Sequence, residues 1–204
     1  MPNDDEQTKP EIIREPDLLT AARALRQLLN ALRLTPDRDV HLEHTAENVT
    51  DFWAEFFAPF IADQPCPEIS TFPAQELAGQ FVAVGKLSFH SMCAHHLTPF
   101  FGVAHIAYVP DALGIGIGAP AKLLDYAARR PQLQERLAAD VATALERACH
   151  PRGIAVCLIA RQMCMEMRGA RATGRVESTV LRGCFQEVAW REQFFNYLAR
   201  QTTD

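Results

Sequence analysis

Apolar residues recur at helical spacing over residues 17–34, at Leu18, Leu19, Ala22, Leu25, Leu28, Leu29 and Leu32. That pattern predicts an amphipathic helix, ended by Pro36-Asp37. A second helix is predicted over residues 45–61, with Thr45 as N-cap and Val49, Phe52, Trp53, Phe56 and Phe57 on one face. The period changes at Gln80. Phe81, Ala83, Gly85, Leu87 and Phe89 alternate, and residues 101–109 alternate again, so both segments read as strands flanking a turn over 93–98. Gly114-Ile115-Gly116-Ile117-Gly118 reads as a flexible connector. Helices are predicted over 120–128 and 131–149, the second with Pro131 at N1 and with Leu133, Leu137, Val141 and Leu145 in register. A long β-rich run over 153–167, a strand within 176–188 and a closing helix over 190–200 complete the pattern. Such an order suggests an α+β fold, an antiparallel sheet with its helices on one face. The boundaries that follow are a polar, proline-containing disordered tail over 1–16, a helical region over 17–79 and a principal domain over 80–204.

Bulk properties narrow the class. The chain has 204 residues, 48% of them hydrophobic, and a formal charge of −5. It is long enough to bury a full core. The acidic balance argues against a nucleic-acid binder or an anionic-membrane binder, either of which needs a basic face. No segment approaches the ~20 uninterrupted apolar residues that span a bilayer. The acidic opening, Met1-Pro2-Asn3-Asp4-Asp5-Glu6, is unlike a secretory leader, and a cytoplasmic location is expected. In that reducing setting Cys66, Cys93, Cys149, Cys157, Cys164 and Cys184 are expected as thiols or ligands rather than bridges.

Candidate chemistry concentrates in Ser91-Met92-Cys93-Ala94-His95-His96-Leu97 and, some seventy residues on, Met163-Cys164-Met165. A thiolate at Cys93 and an imidazole at His96 can reach one metal from a single tight turn. Cys164, arriving on a distant strand, completes a Cys₂His set, and three protein ligands leave the fourth zinc position open for water. A hydrolase follows from that reading. His105 shares a strand face with Val103 and Ala107 and reads as a packed residue or a partner to a ligand.

The stretch LSFHSMCAHHLTPFFGVAHIAYVP over residues 87–110 resembles the zinc-binding signature of the GTP cyclohydrolase I family. RRPQLQERL over 129–137 and MCMEMRG over 163–169 agree with that family in order and spacing. The resemblance implies a T-fold assembled into homo-oligomeric rings, often a decamer, with active sites between subunits. It implies that zinc-bound water attacks C8 of the guanine ring of GTP, opening the imidazole on the way to dihydroneopterin triphosphate. Residue by residue, it makes Cys93, His96 and Cys164 the zinc ligands and His95 a catalytic histidine near the ribose. It makes Gln134 and Glu135 the pair that holds the base, and Arg168 a phosphate-binding arginine. A carboxylate suits guanine because it accepts from both N1–H and the exocyclic amine.

The sequence also departs from that family. Where the family carries a proton-transferring histidine, this chain has Gln162, which cannot shuttle a proton near neutral pH. The family's Gly-Leu-Ser-Lys and following arginine become Gly116-Ile117-Gly118-Ala119 and then Lys122. Fewer cations imply a substrate with fewer phosphates or a weaker grip on them. Arg161 and Gln162 border the metal residues and stand as candidate new substrate contacts. The expected activity is therefore a zinc-dependent opening of a guanine nucleotide or related purine that stops at a formamidopyrimidine or diaminopyrimidine. The alternative is a non-catalytic paralogue that binds guanine nucleotide or regulates an active relative. A cysteine-nucleophile chemistry using a reduced dinucleotide has no need of the Cys93–His96–Cys164 set.

Overall fold

The computed structural model describes residues 16–201 and divides into two compact units, one ending at Gln64 and the other beginning at Pro65. The expected disordered tail, apart from Pro16, lies outside the described residues. The sequence pattern put the change of region at Gln80. Residues 65–79 belong to the second compact unit, in which Thr71–Pro73 pairs with Leu113–Ile115.

In the first unit, α1 (Leu18–Ala31) starts where the Asp17 carboxylate accepts from the Thr20 amide at 2.9 Å, an N-cap that offsets a lost helix hydrogen bond. Helix α2 (Thr45–Phe56) begins one residue earlier than expected, so Thr45 is its first residue and the cap position falls to His44 without a side-chain bond. It stops at Phe57, and the four-residue α3 (Ala58–Ile61) follows with Pro59 in its first turn. Proline has no amide hydrogen to continue the ladder, so one predicted helix becomes two. Ala22, Ala46, Thr50 and Phe57 are the buried contacts, and Arg26 pairs with Glu47 between α1 and α2.

The second unit is built on a five-stranded sheet. Its chain order runs β1 (Thr71–Pro73), β2 (Val82–Cys93), β3 (Pro99–Val109), β4 (Leu113–Ile115), α4 (Ala119–Ala128), β5 (Pro131–Gln132) and α5 (Gln134–Cys149). Then come β6 (Gly153–Gln162), α6 (Met163–Glu166), β7 (Val176–Gly183) and α7 (Val188–Gln201). The sheet order is β5-β2-β3-β6-β7, antiparallel except for the short β2–β5 pair, while β1 and β4 form a separate ribbon. Part of the glycine-rich connector is thus strand β4. Pro131 lies in β5, and α5 begins only at Gln134, not at N1 on Pro131 as the pattern suggested.

Residues of β3 and β6 point apolar side chains to both sides, which is why their sequences read as continuous hydrophobic runs. Ile106, Ile154, Val156 and Leu158 pack with Leu123, Leu124, Leu137, Val141 and Leu145 of the paired helices α4 and α5. Ala107, Val109, Ala155 and Cys157 face the other way and meet Phe185, Phe194 and Leu198, so α7 covers one end of the opposite face. The β3–β6 seam is tight at Gly102, where an added Cβ would lie 2.0 Å from the Ile159 carbonyl oxygen. Gly102→Ala is expected to cost about 1–3 kcal/mol, read as a lowered melting temperature. An unchanged melt would show that the seam can part without penalty.

Candidate metal centre and its surroundings

The ligand turn is fixed by its own backbone. Cys93 donates its amide to the Thr98 carbonyl at 2.9 Å, and Leu97 donates back to the Cys93 carbonyl at 2.8 Å. Leu97 takes a left-handed backbone with φ of 49°, a conformation that costs a non-glycine residue about 1 kcal/mol. The reversal brings the side chains of Cys93 and His96 to the same side. The turn is bolted down at its flanks. Ala94 donates to the Gln132 carbonyl at 2.9 Å, and the Ser91 hydroxyl donates to the Ala128 carbonyl at 2.7 Å. Cys93 pairs in register with Gln132, so the start of α5, with Gln134 and Glu135, lies beside the turn.

Cys164 comes from the other side. Strand β6 pairs Gln162 with Phe100 and ends there, and Cys164 sits on the single helical turn of α6 rather than on the strand the pattern predicted. The ligand atoms of Cys93, His96 and Cys164 lie within 4.8 Å of one another. Cys93 Sγ and His96 Nδ1 are 3.8 Å apart. Zinc bonds of about 2.3 Å to sulfur and about 2.0 Å to nitrogen at tetrahedral angles place such a pair roughly 3.5 Å apart. The donor set and the spacing therefore fit zinc. Burial pushes the Cys164 thiol up, and the neighbouring Cys93 adds to the rise. Two thiolates this close repel unless a cation lies between them, and a divalent metal supplies that cation.

Around this trio the expected residues take different positions. His95 is exposed, its ring 6.1 Å from that of His96 and nearly perpendicular to it. Arg168 reaches His96 directly, with Nη1 2.7 Å from Nε2. Glu135 is exposed in the first turn of α5, where a carboxylate is favoured by the helix end. Gln134 is 3% exposed and fully engaged: its amide nitrogen donates to the carbonyls of Leu158 at 3.0 Å and Val176 at 2.8 Å. Its remaining oxygen accepts from the Gln162 amide at 2.7 Å. Gln134 thus ties α5 to β6 and β7 and holds Gln162, and nothing in its sequence position signalled this. Lys122 donates to the Glu68 carbonyl at 3.1 Å and has no contact with the trio among the described residues. Arg161 forks onto Glu166 and lies 5.8 Å above the Phe101 ring, so it is committed to protein partners.

Of the other thiols, Cys149, Cys157 and Cys184 are buried and Cys66 is exposed. Burial raises Cys149 and Cys157 to about 11, which keeps them protonated. All six cysteines are free. His105 is buried, and burial lowers its affinity for a proton; it packs at 6.1 Å against the Tyr197 ring, away from the metal residues in the contacts it makes. No helix among the described residues is long and apolar enough to cross a membrane.

The sequence profile described as GTP cyclohydrolase I matches residues 21–199. A protein named GTP cyclohydrolase 1 from Streptococcus thermophilus (strain CNRZ 1066) is 42% identical over 167 residues, 81% of this chain and 88% of its own. One of the same name from Rhodopirellula baltica (strain DSM 10527 / NCIMB 13988 / SH1) is 40% identical over 173 residues, 84% of this chain and 74% of its own. Among solved structures, the archaeosine synthase QueF-Like in the apo form overlaps 50% of this chain and 93% of its own, at a TM-score of 0.40 and 19% identity.

Proposed function

The chain belongs to the GTP cyclohydrolase I family, and from that premise we propose that it is a zinc-dependent hydrolase that opens the imidazole ring of a guanine nucleotide. The convergence of Cys93, His96 and Cys164 within 4.8 Å carries the reading. When bound, zinc supplies a Lewis acid that brings the pKa of a coordinated water toward neutrality. Cys93, His96 and Cys164 are the residues that hold it. Glu135, exposed at the start of α5, accepts from N1–H and the exocyclic amine of the base. His95 lies next along the turn, on the ribose side. Arg168 and Lys122 meet phosphate, Lys122 across a boundary between subunits of a ring-shaped homo-oligomer.

Ring opening adds one water: C8 takes the oxygen, the C8–N9 bond breaks, and the two protons of the water end on N7 and N9. Gln162 holds a polar contact at this place but cannot deliver a proton at neutral pH. The steps that depend most on proton shuttling, rearrangement of the ribose and closure of the pterin ring, are therefore the slow ones here. The product that accumulates is a formamidopyrimidine or diaminopyrimidine. Incubating zinc-loaded protein with GTP, GMP, guanosine and guanine, and weighing the products, tests this. Gain of water, or loss of C8 as formate, supports it. Rapid full conversion of GTP to dihydroneopterin triphosphate would overturn the proposed stopping point. Binding without any change would favour the second reading that Gln162 supports, a nucleotide-binding paralogue.

Glu135→Ala is expected to raise KM for the guanine substrate by about 10²-fold or more, since a site built to pair with two N–H groups loses both. Equal KM in the variant would remove Glu135 from base recognition.

A further inference from the structure

His96 is held at both ring nitrogens, and only one of those contacts is compatible with a metal. Arg168 Nη1 stands 2.7 Å from Nε2, and Cys93 Sγ stands 3.8 Å from Nδ1. A guanidinium has donors only and stays charged under all physiological conditions. Nε2 is therefore the accepting lone pair, and the ring hydrogen sits on Nδ1, facing the sulfur of Cys93. Nδ1 is also the nitrogen at ligand spacing from that sulfur. A metal at Nδ1 takes the lone pair there and leaves the neutral ring with its hydrogen on Nε2. That hydrogen would meet the N–H of Arg168 head on. Metal ligation through Nδ1 and the Arg168 contact exclude each other.

We infer that Arg168 is a latch on His96: it competes with the metal for the ring, and an oxyanion that draws the guanidinium away raises the affinity for zinc. The inference rests on the zinc reading given above. A tetrahedral dianion such as a terminal phosphate fits best, because a guanidinium pairs with two of its oxygens at once. Nearby Glu166 does not take this role, since both its oxygens already accept from Arg161. Arg168 and His96 are both exposed, so the arginine can swing without disturbing the core. Linkage makes the effect mutual: zinc raises the affinity for the anion by the same factor. Arg168 is then more readily available to phosphate once the metal is in place.

The test is zinc titration of metal-free wild type and Arg168→Met in a buffer that fixes the free ion, at low salt and at about 1 M KCl. The variant is expected to bind zinc about three- to tenfold tighter at both, the size of one charged hydrogen bond at an exposed place. A difference that vanishes in high salt is charge repulsion alone and overturns the latch. Inorganic phosphate should tighten zinc binding in wild type and leave Arg168→Met unaffected; no tightening in wild type counts against the inference. In a crystal structure of the zinc-loaded protein, zinc should sit on Nδ1 with Arg168 out of hydrogen-bond reach of Nε2. Zinc on Nε2, or Arg168 still in place, overturns it. None of these readouts needs turnover. A protein that binds zinc but fails them loses the latch while the hydrolase reading stands, and one that passes them without turnover keeps the latch alone. A protein that takes up no zinc loses both.

Discussion

If the proposed zinc site holds, Cys93→Ser and Cys164→Ser should each reduce turnover by at least about 10³-fold, because the Lewis acid they would hold is worth several kcal/mol to the reaction. Both should also lose bound zinc on dialysis. A serine hydroxyl is close in volume to the thiol but is not deprotonated near neutral pH, so it offers the metal no anionic ligand. Cys93 is 6% exposed and packs in the core beside Phe89 and Phe100, so the near-isosteric change leaves the fold in place. Cys149→Ser and Cys157→Ser are the matched controls. They are buried at least as deeply, but their thiols are held up to about 11 by burial and join no potential metal-ligand group among the described residues. They should keep both metal and activity. Equal zinc content in all four variants would mean that the trio is not the metal site. Loss of metal without loss of turnover would separate the chemistry from the metal.

The gathering of Cys93, His96 and Cys164 was legible because the chemistry of those residue types is encoded locally. A Cys-x-x-His turn declares its own geometry, and strand alternation on either side said that it caps a hairpin. The helices of the second unit were legible for the same reason, from the spacing of Leu137, Val141 and Leu145. What failed did so where tertiary pairing overrides local pattern. Leu113–Ile115 is strand only because Thr71–Pro73 lies beside it, and no local signal in a glycine-rich stretch reveals a partner forty residues away. Pro131 looked like the first residue of a helix but is taken by β2 as a short parallel neighbour. Gln134 is the clearest case. Its type and place suggest a helix surface residue, but it is 3% exposed and its amide donates to the Leu158 and Val176 carbonyls on two strands far along the chain. Hydrogen bonds of that kind have no period and leave no trace in a single sequence.

Those same bonds set the outcome of the most informative substitution, Gln162→His, which should speed the proton-dependent steps by about 10²–10⁴-fold and move the product from a ring-opened pyrimidine toward dihydroneopterin triphosphate. Because Gln134 spends both N–H groups on backbone carbonyls, the atom it turns to position 162 is an oxygen. That orientation does not depend on what residue 162 is. An imidazole placed there can donate through one ring nitrogen to the Gln134 oxygen, and its other nitrogen is left with a lone pair that can take up and return a proton. The glutamine now present satisfies the same oxygen with its amide but has no proton to give. Gln162→Asn keeps the amide chemistry and should show no such gain, which separates proton transfer from a change of shape. Product masses and single-turnover rates for the three proteins decide the matter. If the wild type already carries GTP through to the pterin as fast as Gln162→His, proton delivery reaches this site by another route and the glutamine is not what limits it.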